Sequence, residues 1–149
     1  MTDLLPECSL LAGFDEADRR ELTGYGEFRD FEAGRTVIGE GQSQESLYLL
    51  LQGQLNAVHK IDDGEAPLGT IRNGEWFGEV NIFDPQQASA MVVAHVNART
   101  WQISRTKLEE FLNAHPLLGC QLLLGVGEVL ARRSRDLTTK LNATWEISW

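Results

Sequence analysis

The sequence predicts a mostly β chain with flanking helices, and three observations carry that prediction. From Tyr25 to Ile103, short segments containing Val, Ile, Leu, Tyr and Trp are punctuated by Gly34, Gly39, Gly41, Gly53, Gly64, Gly69, Gly74 and Gly78. Glycines at such intervals mark turns that need a positive φ or a close backbone approach, the texture of a β-sandwich or β-roll. The run DEADRRELT, Asp15 to Thr23, precedes this region with a capping residue and early acids, and after Ser104 the apolar spacing becomes helical.

The first helix spans 15–24. Asp15 follows the apolar LLAGF as its N-cap, and acidic residues in the first turn suit the unsatisfied N–H groups there. Within the roll, 25–103, SLYLLLQGQLNAVHKI reads as two strands around a Gln52-Gly53 turn, and DDGEAPLG as a hairpin tip. The C-terminal helices occupy 104–149. Ser104 caps a short helix, RTKLEEFLNAHP, which stops before Pro116 because the residue before a proline avoids the helical region.

From Pro116 onward Leu123, Val126, Leu130, Leu137, Leu141 and Trp145 fall on one stripe at three-and-four spacing. An unbroken helix of this length runs about 45 Å, more than a small roll can cover. The stripe therefore packs on its own roll or forms a two-helix seam between subunits, with Ser134 as a register-setting polar residue. Gly125 and Gly127 predict a bend, since each costs about 1 kcal/mol relative to alanine inside a helix. Trp145 and Trp149 are expected to cover an apolar patch at the helix end.

A chain of 149 residues, 42% hydrophobic, fits one domain over 1–149 that buries about two-thirds of its unfolded surface. Its net charge of −9 and pI of about 4.7 argue against a phosphate-tracking basic surface, so no direct nucleic-acid partner is expected. Cys8 and Cys120 lie far apart without a CxxC, which supports free thiols in a reducing compartment. No cationic segment followed by an apolar stretch opens the chain, and no run reaches the ~18 apolar residues of a membrane span, so a cytoplasmic, membrane-free protein is expected. His59, His95 and His115 lack HxH or HxxxH spacing, and neither a GxSxG nor a Walker loop occurs, so neither a metal site nor an enzyme is expected.

Taken together, FEAGRTVIGEGQSQESLYLLLQGQLNAV (31–58), IRNGEWFGEVNIF (71–83) and SAMVVAHVNARTWQISRTKLEEFL (89–112) resemble the cyclic nucleotide-binding domain. The likeness runs from about Leu10 to Leu141, with Gly34, Gly41, Gly53, Gly74 and Gly78 in the order of the family's turns. It implies a double-stranded β-helix, or jelly-roll-like β-roll, and LARRSRDLTTKLN looks like the dimerisation helix of the catabolite activator type of bacterial regulator. The residues ending at Trp149 leave no room for the helix-turn-helix domain of such regulators. The expectation is a stand-alone sensor module: a homodimer through its C-terminal helix, with an unidentified protein partner and cyclic AMP or cyclic GMP as its ligand. The alternative is a fold that has lost nucleotide affinity and serves as a dimeric interaction module.

The resemblance also assigns residues. In the family, Phe77-Gly78-Glu79 opens a short helix whose backbone N–H groups receive a cyclic phosphate, an arrangement that helix starts favour. Gly78 then lets the ligand approach, Glu79 accepts from the ribose 2′-hydroxyl, and Val80 is taken with them as a ligand-binding residue. The family continues with an arginine, a small hydroxyl residue and alanine; Ser89 and Ala90 match the last two, but Ala88 stands where the arginine belongs. A charge-assisted contact of that kind contributes about 1.5–3 kcal/mol, so its loss implies binding weaker by roughly ten- to hundredfold. Arg72 and Arg99 lie off the motif and read as surface charges. Thr138 and Thr139 match the helix positions from which relatives cap the purine.

Overall fold

The computed structural model describes the chain apart from Met1, Thr2, Cys8, Pro85, Ser89 and Trp149, and apart from the side chains of Ser9, Val80, Asn81, Gln86 and residues 143–148. A 3-10 turn, Ser9–Leu11, and α1, Glu16–Thr23, open it. Asp15 caps α1 as its sequence predicts: Asp15 Oδ1 accepts from the Asp18 N–H at 2.8 Å, and the Asp18 carboxylate returns a bond to the Asp15 N–H at 3.2 Å.

Among the described residues ten strands follow: β1 Glu27–Phe31, β2 Thr36–Ile38, β3 Ser43–Gln44, β4 Ser46–Gln52, β5 Leu55–Ile61, β6 Gly64–Ile71, β7 Trp76–Phe77, β8 Gln86–Gln87, β9 Met91–Ala94 and β10 Ala98–Ser104. Their ladders are antiparallel and form one sheet ordered β1-β10-β4-β7, a second ordered β2-β9-β5-β6, and a small β3-β8 pair. This is the jelly-roll-like β-roll with a short leading helix and a long closing one that the sequence implied.

The sequence run SLYLLL is nearly all apolar because β4 is buried on both faces. Side chains alternate along a strand, so Leu47 and Leu49 join a core with the helices, whereas Tyr48 and Leu50 face the inside of the roll. Neighbouring strands divide in the same way, Trp76 and Trp101 going to the first cluster, Phe77 and Ala98 to the second. Strands β4 and β5 do not pair as a hairpin around Gln52-Gly53; the turn carries the chain from one sheet to the other. Gly53 is required at this corner, with φ +113° and Asn97 O only 2.6 Å from where a Cβ would stand. The hairpin is formed by β5 and β6, with Asp62 and Asp63 at its tip and Pro67 on the outer strand next to a register shift.

Ser104 caps α3, Arg105–Ala114, its hydroxyl accepting from the Lys107 N–H at 3.2 Å. Helix α4, Pro116–Ser148, then runs unbroken through Gly125 and Gly127, where the sequence suggested a bend. Packing explains the first of these glycines: a Cβ on Gly125 would stand 3.1 Å from Leu10 Cδ2, so the glycine admits the N-terminal segment against the helix. The buried stripe of α4 runs through Leu122 and Val126, with Leu118 and Leu130 packed beside them; Leu123, which the sequence placed on the stripe, is only half-buried, and Leu122 one position before it takes the buried place. The expectation for Trp145 and Trp149 concerns side chains outside the described residues. No helix among the described residues is long and apolar enough to cross a membrane.

Candidate functional site

Between the β2-β9-β5-β6 sheet, the turn after β7 and the second half of α4 lies a cavity of about 560 Å³. It exists because the inner cluster is built from small residues at this end: Ala88, Ala90 and Val92 line it where larger side chains would fill it. Ile38, Phe77 and Leu137 add apolar wall.

The Phe77-Gly78-Glu79 turn forms one end. Gly78 has φ +81°, and a Cβ there would stand 2.6 Å from Ser46 O, so both backbone conformation and space demand glycine. Helix α2, Glu79–Phe83, follows it. With five residues α2 is barely more than a turn, so what it can offer a ligand is local N–H groups rather than a summed dipole. Arg105 of α3 fixes its far end, Nη1 donating to Ile82 O at 3.2 Å and to Phe83 O at 3.4 Å, where final carbonyls lack helical partners.

Glu79 is 4% exposed and lines the cavity. A carboxylate this buried needs a partner, and the partner comes from α4: Arg133 forms an ion pair with Glu79 and donates from Nη2 to Trp76 O at 2.6 Å. The guanidinium therefore spans helix and roll at the mouth of the cavity. Lys140 and Asp136 of α4 also line it, as does Glu75 from the roll.

Ala88 is buried, and its peptide is clamped by the turn before β3: its N–H donates to Gln42 O at 2.7 Å and its carbonyl accepts from the Gly41 N–H at 2.8 Å. Ala88 also lines the cavity. Ser89 and the Val80 side chain lie outside the described residues; Val80 sits in α2 and half-buried Ala90 borders the cavity. Thr138 does not border it. That side chain is exposed and its hydroxyl donates back to Ser134 O at 3.0 Å, the usual local bond of a helical threonine, while Leu137 and Arg133 face the cavity instead.

Arg72 and Arg99 are placed as surface charges outside the cavity. Arg99 binds both Asp30 oxygens and Asp3, and these carboxylates, Asp30 first, raise its pKa. Tyr48 stacks on Phe77 with ring centroids 4.8 Å apart, and burial raises its phenol above the ordinary value. Cys120 is a free, exposed thiol, and Cys8 lies outside the described residues. Among the described residues no group of three or more His, Cys, Asp or Glu could hold a metal ion.

Sequence reasoning missed Arg133, Arg105 and Gln44, a buried residue on the cavity wall. Arg133 carried the one available signal, since it lies seven residues after Val126 and four before Leu137 on the predicted stripe, where a charge requires a partner.

Comparison with known proteins agrees with this geometry. The model of the cyclic nucleotide-binding domain matches residues 28–115, more than half of the chain. The CRP-like cAMP-activated global transcriptional regulator of Mycobacterium tuberculosis is 29% identical over 142 residues, covering 95% of this chain and 62% of the regulator. A cAMP-dependent protein kinase regulatory subunit of Aspergillus fumigatus is 30% identical over 108 residues, 72% of this chain and 26% of the subunit. The chain thus spans less than two-thirds of the length of these curated relatives. In fold it is similar to a cyclic nucleotide-binding domain from Methylobacillus flagellatus, with a TM-score of 0.81, 24% identity, and coverage of 88% of this chain and 74% of that one. This chain belongs to the cyclic nucleotide-binding domain family.

Proposed function

We propose that the cavity beneath α4 receives a cyclic nucleotide, cyclic AMP first and cyclic GMP second, and that occupancy is passed to α4 as a regulatory signal without catalysis. The observation that carries this reading is the bridge from Arg133 of α4 to Glu79 of the cavity wall. A ribose hydroxyl arriving at Glu79 meets a carboxylate already engaged by the helix, so its contacts differ with the position of α4. Such a difference is what a ligand needs in order to shift a conformational equilibrium. The relatives whose names specify cyclic AMP favour that ligand. We further assign dimerisation to α4, whose Leu137 and Leu141 stand 60% and 52% exposed on the continuing apolar stripe.

Ala88 favours a second reading, an interaction module without nucleotide affinity. Calorimetric titration with cyclic AMP and cyclic GMP separates the two, with Ala88→Arg as the comparison and light scattering on the same samples reporting the dimer. Binding by the wild type, roughly ten- to hundredfold weaker than by Ala88→Arg, is expected. Absence of heat in the wild type at millimolar ligand, with binding by Ala88→Arg, would establish the interaction module instead. A monomer at micromolar concentration would remove the α4 seam.

A further inference from the structure

One polar side chain in the cavity wall has no role in the residue assignments above. Gln44, in the two-residue strand β3, lines the cavity and is 6% exposed. Its Nε2 donates to Ser46 O at 2.9 Å and would stand 2.9 Å from a Cβ on Gly78, so the amide lies directly against the bare backbone of that glycine. A carboxamide offers two N–H donors and an acceptor oxygen. Ser46 O takes one of these donors, and the carboxamide carries a second N–H and an acceptor oxygen beyond that bond. Apolar Ile38, Phe77, Ala88 and Val92 and the charged Glu79 and Arg133 line the same cavity. A buried amide of this kind is stabilised when polar groups meet its remaining functions.

We propose that Gln44 is a ligand-contacting residue, presenting a neutral N–H to the cyclic phosphate at the end of the cavity where the roll carries Ala88 in place of a cation. The proposal rests on the nucleotide reading above and specifies how this chain manages without the motif arginine. A neutral amide bonds an anion more weakly than a guanidinium does, but it leaves no stranded positive charge in the empty cavity.

Gln44→Met tests this because it preserves length and approximate volume while removing both hydrogen-bonding functions; Gln44→Ala serves as a second variant, and thermal unfolding checks that each folds. Cyclic AMP and adenosine, which lacks the phosphate, are titrated into each protein. The expected result is a three- to tenfold loss of cyclic AMP affinity in either variant, about one neutral hydrogen bond, with adenosine binding unchanged. In the wild type, cyclic AMP should also shift the Gln44 side-chain amide cross-peaks in a proton–nitrogen correlation spectrum. Equal or tighter cyclic AMP binding by the variants would overturn the role of Gln44 while leaving the nucleotide reading in place. Equal losses for cyclic AMP and adenosine would overturn contact at the phosphate. Failure of wild type and variants alike to bind cyclic AMP would overturn both readings.

Discussion

The two halves of α4 share one stripe and use it differently. In the first half Leu122 and Val126 are 1% and 2% exposed, packed with Leu11, Phe14 and Phe111 in the helix-side core. In the second half every described side chain from Ala131 to Asn142 is exposed, and the Arg133 guanidinium on Glu79 and Trp76 O ties it to the roll. Burying a leucine or valine contributes about 1.5–3 kcal/mol, whereas a partly exposed ion pair contributes about 1 kcal/mol or less. The first half is therefore part of the fold, and the second is held over the cavity by a weaker attachment.

The largest effect should come from emptying the anchored half. Leu122→Ala is expected to destabilise the protein by about 2–4 kcal/mol in urea unfolding, because a fully buried leucine leaves a cavity in a packed core. Arg133→Met should cost less, about 1–2 kcal/mol: it strands the Glu79 carboxylate, but the lost guanidinium was 43% exposed. Its signature is regional, with faster hydrogen exchange in residues 131–142 and unchanged protection in 118–130. The smallest change is a gain. Gly127→Ala meets nothing within 4 Å, so helix propensity alone should raise stability by about 0.5–1 kcal/mol. Equal exchange losses in both halves of Arg133→Met would erase the distinction between them.

Much of the fold is legible because its signals are local. Gly34, Gly41, Gly53, Gly74 and Gly78, the ordered series behind the family likeness, all take positive φ, a demand each turn makes of its own residue. The caps at Asp15 and Ser104 depend on neighbours three residues away. The missed features depend on distant partners. Glu79 and Arg133 are 54 positions apart, and their meeting depends on how α4 leaves α3, which no local spacing encodes. Gln44 reads as an ordinary loop residue until β3 and the Gly78 turn enclose its amide. Gly125 has the composition of a bend but serves as a slot for Leu10, and the two strands around Gln52-Gly53 are legible while their separate sheets are not, because periodicity reveals strands without revealing which sheet receives them.

Trp76 joins two environments that are otherwise separate. Its indole is 2% exposed and meets Trp101 edge-on at 6.2 Å, while its carbonyl receives the Arg133 guanidinium. The emission colour of an indole sealed from water follows the electric field around it, so any displacement of the Arg133 guanidinium from the Trp76 carbonyl would be written into the colour of this indole.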